Sequence, residues 1–260
     1  GSDRVDTPPA AVPFAPTMKT IAGLLFLLFL LLPALAFPAT PLWERAVELY
    51  GSYDDLVPGR MEIRFDQYNG RGKLVTTEES EIDIWVDESG EVQSRIVRAT
   101  KDGDDVTEER RENPRSGAPP FGGGPGNEEE DGGGAFSGLQ RSPFDPLEQT
   151  KVRIVDAGPT VILDGVPAQP FEYEHETGPD SITRGTAWLS VETGEPIRVH
   201  ATIEPLPSFV RDFALRQRFD RDEEGRLIVR ELEFDGVGRI LFLERRIESR
   251  LIFSDYFRSD

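Results

Sequence analysis

The chain has 260 residues, with 48 acidic against 29 basic side chains, a net charge of −19 and no cysteine. That charge repels phosphate backbones and anionic membrane surfaces, which argues against nucleic-acid binding. The absence of cysteine rules out disulfides and the lipid attachment of a bacterial lipoprotein, so an exported chain of this kind must hold together by burial and hydrogen bonds.

Residues 1–17 carry Pro8, Pro9, Pro13 and Pro16 and no core-forming pattern; they read as an N-terminal extension or expression remnant, or as the product of a mis-assigned start. Residues 18–36 have the three parts of a secretory signal peptide. Met18-Lys19-Thr20 is the basic start, Ile21 to Leu32 is an unbroken apolar run, and Pro33-Ala34-Leu35-Ala36 supplies small residues at the cleavage positions. Cleavage before Phe37 is expected, which sends the chain to the bacterial periplasm without a lipid anchor; an uncleaved anchor is the alternative. Arg4 and Lys19 balance Asp3 and Asp6, so the whole charge excess sits in residues 37–260, enough for a single domain with a real core.

Thr40-Pro41 opens a helix, and Trp43, Ala46, Val47 and Tyr50 form one apolar stripe on it. From Arg60 the period changes to two. Met61, Ile63 and Phe65 alternate with charged residues up to a turn at Asn69-Gly70. Ile82, Ile84 and Val86 follow, then a turn at Glu88-Ser89-Gly90 and a third strand from Glu91 to Ala99. A short helix over 104–112 comes next.

Residues 114–146 break the pattern. Nine of these 33 residues are Gly, six are Pro, and none is Val, Ile or Thr, so the segment cannot bury enough surface to offset its ordering entropy. It is expected to be a disordered insertion. Its glycines lack a following Lys-Ser/Thr and precede the acidic run Glu128 to Asp131, which argues against a phosphate cradle.

Strand patterning resumes at Lys151. The predicted strands are 151–156, 159–164, 170–176, 182–192, 196–204, 209–219, 226–235 and 239–254, with turns at Asp164-Gly165, Thr193-Gly194, Glu224-Gly225 and Asp235-Gly236. The fold class is therefore mostly β: a large curved antiparallel sheet, an incomplete half-barrel, with a short N-terminal helix on its concave side. A sheet with one apolar face and few covering helices must curl to protect that face.

No hydrolase elbow, phosphate loop or zinc motif is present, so no catalytic residue, metal or cofactor is assigned. His175 and His200 could form a metal site only by meeting across strands, and structural roles are expected for both. Asp220-Arg221-Asp222-Glu223-Glu224-Gly225 with Glu231 nearly matches a calcium loop. Its flanks alternate as strands do, so a hairpin turn with solvated charge is expected instead.

Arg184 to Arg198, reading RGTAWLSVETGEPIR, resembles a strand–turn–strand unit of the periplasmic lipoprotein-carrier superfamily, LolA- and LolB-like, in which a strand ends in Thr-Gly-x-Pro. The order around it is similar too: signal, helix, long antiparallel meander, closing strand pair. The resemblance spans most of residues 41–257. It implies an incomplete barrel that shelters acyl chains in an apolar cavity, with helices as a lid, and no catalysis.

The implied function is non-enzymatic periplasmic binding of the acyl chain of a lipid or lipoprotein for transport to the outer membrane. An inner-membrane transporter or an outer-membrane acceptor would be the protein partner. The alternatives are an envelope sensor of the same fold and an outer-membrane β-barrel. The expected cavity residues are Ile63, Phe65, Ile82, Ile84, Trp188, Ile197, Val199, Phe213 and Leu215, with an open cavity and a filled core equally compatible with the pattern.

Overall fold

The computed structural model of the chain describes residues 41–53, 55–113, 142–178, 180–206, 208–240 and 243–259. The expected leader at 18–36, the extension before it and most of the Gly/Pro-rich insertion lie outside the described residues. One helix and fourteen strands carry most of the rest, with two short helical pieces.

Helix α1, Pro41–Gly51, begins at the proline that favours a first helical turn. Its apolar stripe faces inward: Trp43 and Ala46 are buried, and Leu42, Val47, Leu49 and Tyr50 pack around them. The N-terminal strands are β1 Leu56–Val57, β2 Arg60–Asn69, β3 Leu74–Val86, β4 Val92–Lys101 and β5 Asp104–Asp105, followed by α2, Thr107–Glu112. A 3-10 helix, Pro146–Lys151, leads into β6 Val152–Ala157, β7 Val161–Leu163, β8 Val166–Gly178, β9 Ser181–Ser190, β10 Pro196–Glu204, β11 Val210–Arg221, β12 Leu227–Ile240, β13 Leu243–Ser254 and β14 Phe257–Arg258.

Twelve strands form one antiparallel sheet in the order β5-β4-β3-β2-β13-β12-β11-β10-β9-β8-β6, with β7 added beside β8. The two ends of that order do not meet, so the sheet is an incomplete barrel. The N-terminal meander joins the C-terminal one through β2 and β13, paired in register from Arg60 opposite Ser254 to Asn69 opposite Arg245. Strands β1 and β14 form a separate two-stranded ribbon.

Local chemistry explains most of the turns. Asp164 and Gly165 both have positive φ, as a two-residue hairpin requires. At the β2–β3 turn the positive φ falls on Gly72, not on Gly70. The Asn69 Oδ1 accepts from the backbone N–H groups of Arg71 and Lys73 at 2.9 and 3.1 Å, which widens the turn.

Three expectations are corrected. No turn forms at Asp235-Gly236: β12 runs straight through, with Gly236 opposite Phe213 on one side and Ile247 on the other. Ladder pairing on both sides outweighs the turn preference of the dipeptide. The helix expected over 104–112 shrinks to 107–112, because Asp104 and Asp105 pair with β4 as a strand. The insertion does not extend to residue 146. Ser142 and Phe144 are buried, and Pro146 opens the 3-10 helix, capped by the Asp145 carboxylate accepting from the Leu147 N–H at 2.8 Å.

Directly opposed residues share a face in an antiparallel ladder, so the register assigns every strand residue to one of two faces. The inner face holds the core: Phe171, Tyr173, Ala187, Leu189, Val199, Ala201, Ile203, Phe213, Leu215 and Phe219, with Trp43 and Phe144 laid over them. The outer face is charged. Glu174 sits between Arg153 and Arg184, and Arg184 reaches on to Glu204. Glu231 sits between Arg218 and Arg250, and Arg246 pairs with Asp235 at 2.7 Å. This alternation is the half-buried pattern of a sheet with one wet side.

Candidate functional site

The inner face is divided into a filled half and an open half. Over β8 to β11, α1 and the 3-10 helix close the surface. The Trp43 ring lies 5.0 Å from Phe144, 6.0 Å from Phe171 and 5.9 Å from Tyr173 between centroids. Its Nε1 donates to Gln149 Oε1 at 3.0 Å, so the one polar group of the indole is satisfied. Gly185 is needed beneath this packing, because an added Cβ would lie 2.3 Å from the His200 carbonyl oxygen and 2.8 Å from the Tyr173 hydroxyl. Burial drives the Tyr173 phenol far above its ordinary range, so it is neutral.

Over β2, β3, β12 and β13 the inner face is different. Met61, Ile63 and Phe65 on β2, Ile82 on β3, and Ile247, Leu251 and Phe253 on β13 share this face and are only half-buried. Among the described residues, α1 packs mainly on β9 and the 3-10 helix, and α2 on β4. Neither makes its main contact with β2, β12 or β13. An apolar strip is thus left between two covered ends.

The polar groups of this face include Gln67 on β2 and Thr76 and Ser80 on β3. Glu78 on β3 is neutralised by Arg110 from α2 at 2.6 Å and by Lys101 at 3.4 Å. Ser249 on β13 is 5% exposed, and its Oγ has no hydrogen-bond partner among the described residues. Arg245 lies at the rim, opposite Asn69 on β2 and Gly238 on β12.

The nine expected cavity residues divide accordingly. Ile63, Phe65 and Ile82 lie on the open half, with Ile84 buried at its margin (8% exposed). Val199, Phe213 and Leu215 are sealed in the filled half, at 1%, 1% and 4% exposure, and line no open space. Ile197 is half-buried beside the register shift between Pro196 and Arg198. Trp188 is a correction. It stands opposite Arg198 and Pro170, on the face that Ala187 and Leu189 turn away from, with its ring against His200 at 4.9 Å. Sequence reasoning did not pick out Ile247, Ser249, Leu251 or Phe253. The signal for them is the alternation of β13, obscured by Ser249 on the apolar phase and by the unbroken apolar run Leu251-Ile252-Phe253.

The two histidines lie on opposite faces, His175 opposite Thr183 on the inner face and His200 opposite Thr186 on the outer one, so they cannot share a metal. Among the described residues no group of three or more metal-binding side chains assembles. The calcium-like loop is a hairpin. Asp222 Oδ1 accepts from the backbone N–H groups of Glu224 and Arg226, and Oδ2 from the Arg226 guanidinium at 2.6 Å, which uses the oxygens a cation would need. Glu231 is occupied by its two arginines.

Two recesses lie elsewhere. One, of about 640 Å³, sits beside α2 at the β4 edge and is lined by Arg98, Asp105, Glu108 and Arg111 among others. The other, of about 310 Å³, is ringed by outer-face charges including Glu62, Arg64, Glu79 and Arg250. Charged side chains make up most of the lining of both, unlike the predominantly apolar lining of a small-molecule pocket.

The open sheet with a charged outer face does not fit an outer-membrane barrel, which requires closure and an apolar outer band. No helix among the described residues is long and apolar enough to cross a membrane.

No protein-family model matches the chain, and no curated protein matches it. Solved structures do. A DUF1329 family protein from Desulfovibrio piger is 13% identical, covering 85% of this chain and 93% of its own, at a TM-score of 0.39. A putative outer membrane lipoprotein-sorting protein domain from Vibrio parahaemolyticus is 10% identical over 83% and 93%, at 0.37. A LolA superfamily protein from Nitrosomonas europaea is 9% identical over 85% and 94%, at 0.39. At TM-scores this low, the likenesses carry no argument about what this chain does.

Proposed function

We propose that this chain is an exported, non-catalytic binding protein that shelters the acyl chain of a lipid or lipoprotein on the open half of its inner face. One observation carries the reading. Met61, Ile63, Phe65, Ile82, Ile247, Leu251 and Phe253 share one face and are only half-buried, beside a core that is fully packed. Water-facing apolar area of this kind is a binding surface or an aggregation hazard. An acyl chain laid along it would gain about 0.8 kcal/mol for each buried methylene.

The signal pattern at 18–36 and the resemblance of Arg184 to Arg198 to the lipoprotein-carrier unit support a periplasmic carrier. The filled half gives such a carrier a rigid frame, and the open half gives it a site that a ligand can enter and leave without unfolding the core.

The test is mass spectrometry of gently extracted protein, followed by titration of delipidated protein with a fluorescent fatty acid. Co-purifying lipid and saturable binding are expected. Protein that is repeatedly lipid-free and does not bind the fatty acid overturns the reading.

A further inference from the structure

We propose that the open strip selects amphiphiles with an anionic head, carboxylate or phosphate, and that Arg245 pairs with that head. The inference rests on the acyl-binding reading above and adds the ligand's charge and orientation.

Strand β13 treats its arginines unequally. Arg246 and Arg250 belong to the outer face, where Arg246 meets Asp235 and Glu248 at 2.7 and 3.0 Å and Arg250 meets Glu231. Arg245 belongs to the inner face with Ile247, Ser249 and Leu251. Its recorded hydrogen bond is a long one, Nη1 to the Glu244 carbonyl oxygen at 3.4 Å. Among the described residues it is in no ion pair. A half-buried guanidinium without an anion is unfavourable, and in a chain with a surplus of acids it would be simple to supply one.

The surroundings favour an external anion. Glu78, the one carboxylate that β2, β3 and β13 place on this face, is already held by both Arg110 and Lys101. The strip is therefore locally positive although the chain as a whole is strongly negative. Gly238, opposite Arg245 on β12, leaves room beside the guanidinium, since an added Cβ there would meet only the Phe209 carbonyl oxygen, at 3.7 Å.

The charge also sits where an amphiphile needs it. From Arg245 the face continues through Ile247, Ser249 and Leu251 to Phe253, roughly 26 Å along the strand at about 3.3 Å per residue. That accommodates a long extended acyl chain with its head at the rim.

The experiment is calorimetric titration of the delipidated full chain with three probes below their micellar concentrations: oleate, oleoyl lysophosphatidylglycerol and neutral monoolein. The two anionic probes should bind about tenfold tighter than monoolein, the size of one charge-assisted pair. Arg245→Gln should remove that preference without weakening monoolein, and Arg246→Gln on the outer face should keep it. Circular dichroism confirms that both variants are folded. Oleate binding without the lysolipid assigns the anion to a fatty acid, and the reverse assigns it to a phospholipid. Equal binding of all three probes, or an anionic preference that survives Arg245→Gln, overturns the inference and leaves acyl binding standing. Binding of none of them overturns both.

Discussion

The rings of Trp43 and Phe144 lie 5.0 Å apart between centroids, both buried, although about a hundred residues separate them in the chain. Phe144 is fully buried and reaches Phe219 on β11 as well, at 6.0 Å. It joins the N-terminal helix to β11, near the middle of the strand order. Phe144→Ala should cost about 3–5 kcal/mol, the usual cost of removing a buried aromatic ring. Urea unfolding followed by circular dichroism measures it; a change below 1 kcal/mol would mean that the ring is not packed as described.

Gly185 is constrained by space. Its φ is not positive, so conformational strain is not the issue; the His200 carbonyl and the Tyr173 ring occupy the position of a side chain. Gly185→Ala should destabilise by about 1–3 kcal/mol, as overpacking does. Combining it with Tyr173→Phe, which removes the nearby hydroxyl, should recover only part of the loss, because the His200 carbonyl is backbone and remains.

Glu231 should set part of the acid stability. Burial pushes its carboxyl up, but hydrogen bonds from Arg250 and Arg218 outweigh burial and hold it below the ordinary glutamate value of 4.5. A lowered folded-state value means that the stabilisation is fully present above pH 4.5 and is lost as pH falls below it, through the folded value. Glu231→Gln should lower stability at pH 7 by about 1–3 kcal/mol, since it removes the carboxylate that two guanidinium groups share. The variant and the parent should converge in strongly acidic solution. Thermal melts at a series of pH values make the comparison.

Asp87 at the β3–β4 turn should titrate unusually low. Hydrogen bonds from the Ser89 hydroxyl, the Glu91 backbone and the Gln93 amide bring its carboxyl down to about 2. Carboxyl-detected NMR titration should show that midpoint. Ser89→Ala should raise it, because it removes the largest contribution.

The two faces of the sheet should respond differently to substitution. Phe65→Asp places a charge on the open strip and should weaken fatty-acid binding by tenfold or more, since a buried methylene contributes about 0.8 kcal/mol and a desolvated charge opposes several of them. Trp188→Ala, on the outer face, should leave binding within about twofold, as surface changes away from a site do. Fluorescence titration of both variants decides the assignment; a binding loss in the Trp188 variant equal to that of Phe65 would place the site on the other face.

Much of the fold was legible locally. The period of two assigned Ile63, Phe65 and Ile82 to one face because their neighbours are charged. At Trp188 the alternation has no phase, because Ala187, Trp188 and Leu189 are all apolar. Size favours the tryptophan as the inward residue, yet Ala187 and Leu189 face inward, at 0% exposure, in the same core cluster as Trp43. Phe144 gives no sequence signal, because glycine and proline set the composition of its surroundings and one aromatic residue carries no period.

By itself, the sequence determined the strand-rich class, the inward stripe of α1, most of the turns and the charged outer face, because each of these follows from residues a few positions apart. The tertiary structure alone decided that β13 joins β2, that His175 and His200 point apart, and that one half of the inner face is filled while the other is open. Those outcomes depend on which distant strands pair and where a register shifts. Pairing energy is spread over whole ladders, and a one-residue slip would turn every side chain to the opposite face. No local window of the chain contains that choice.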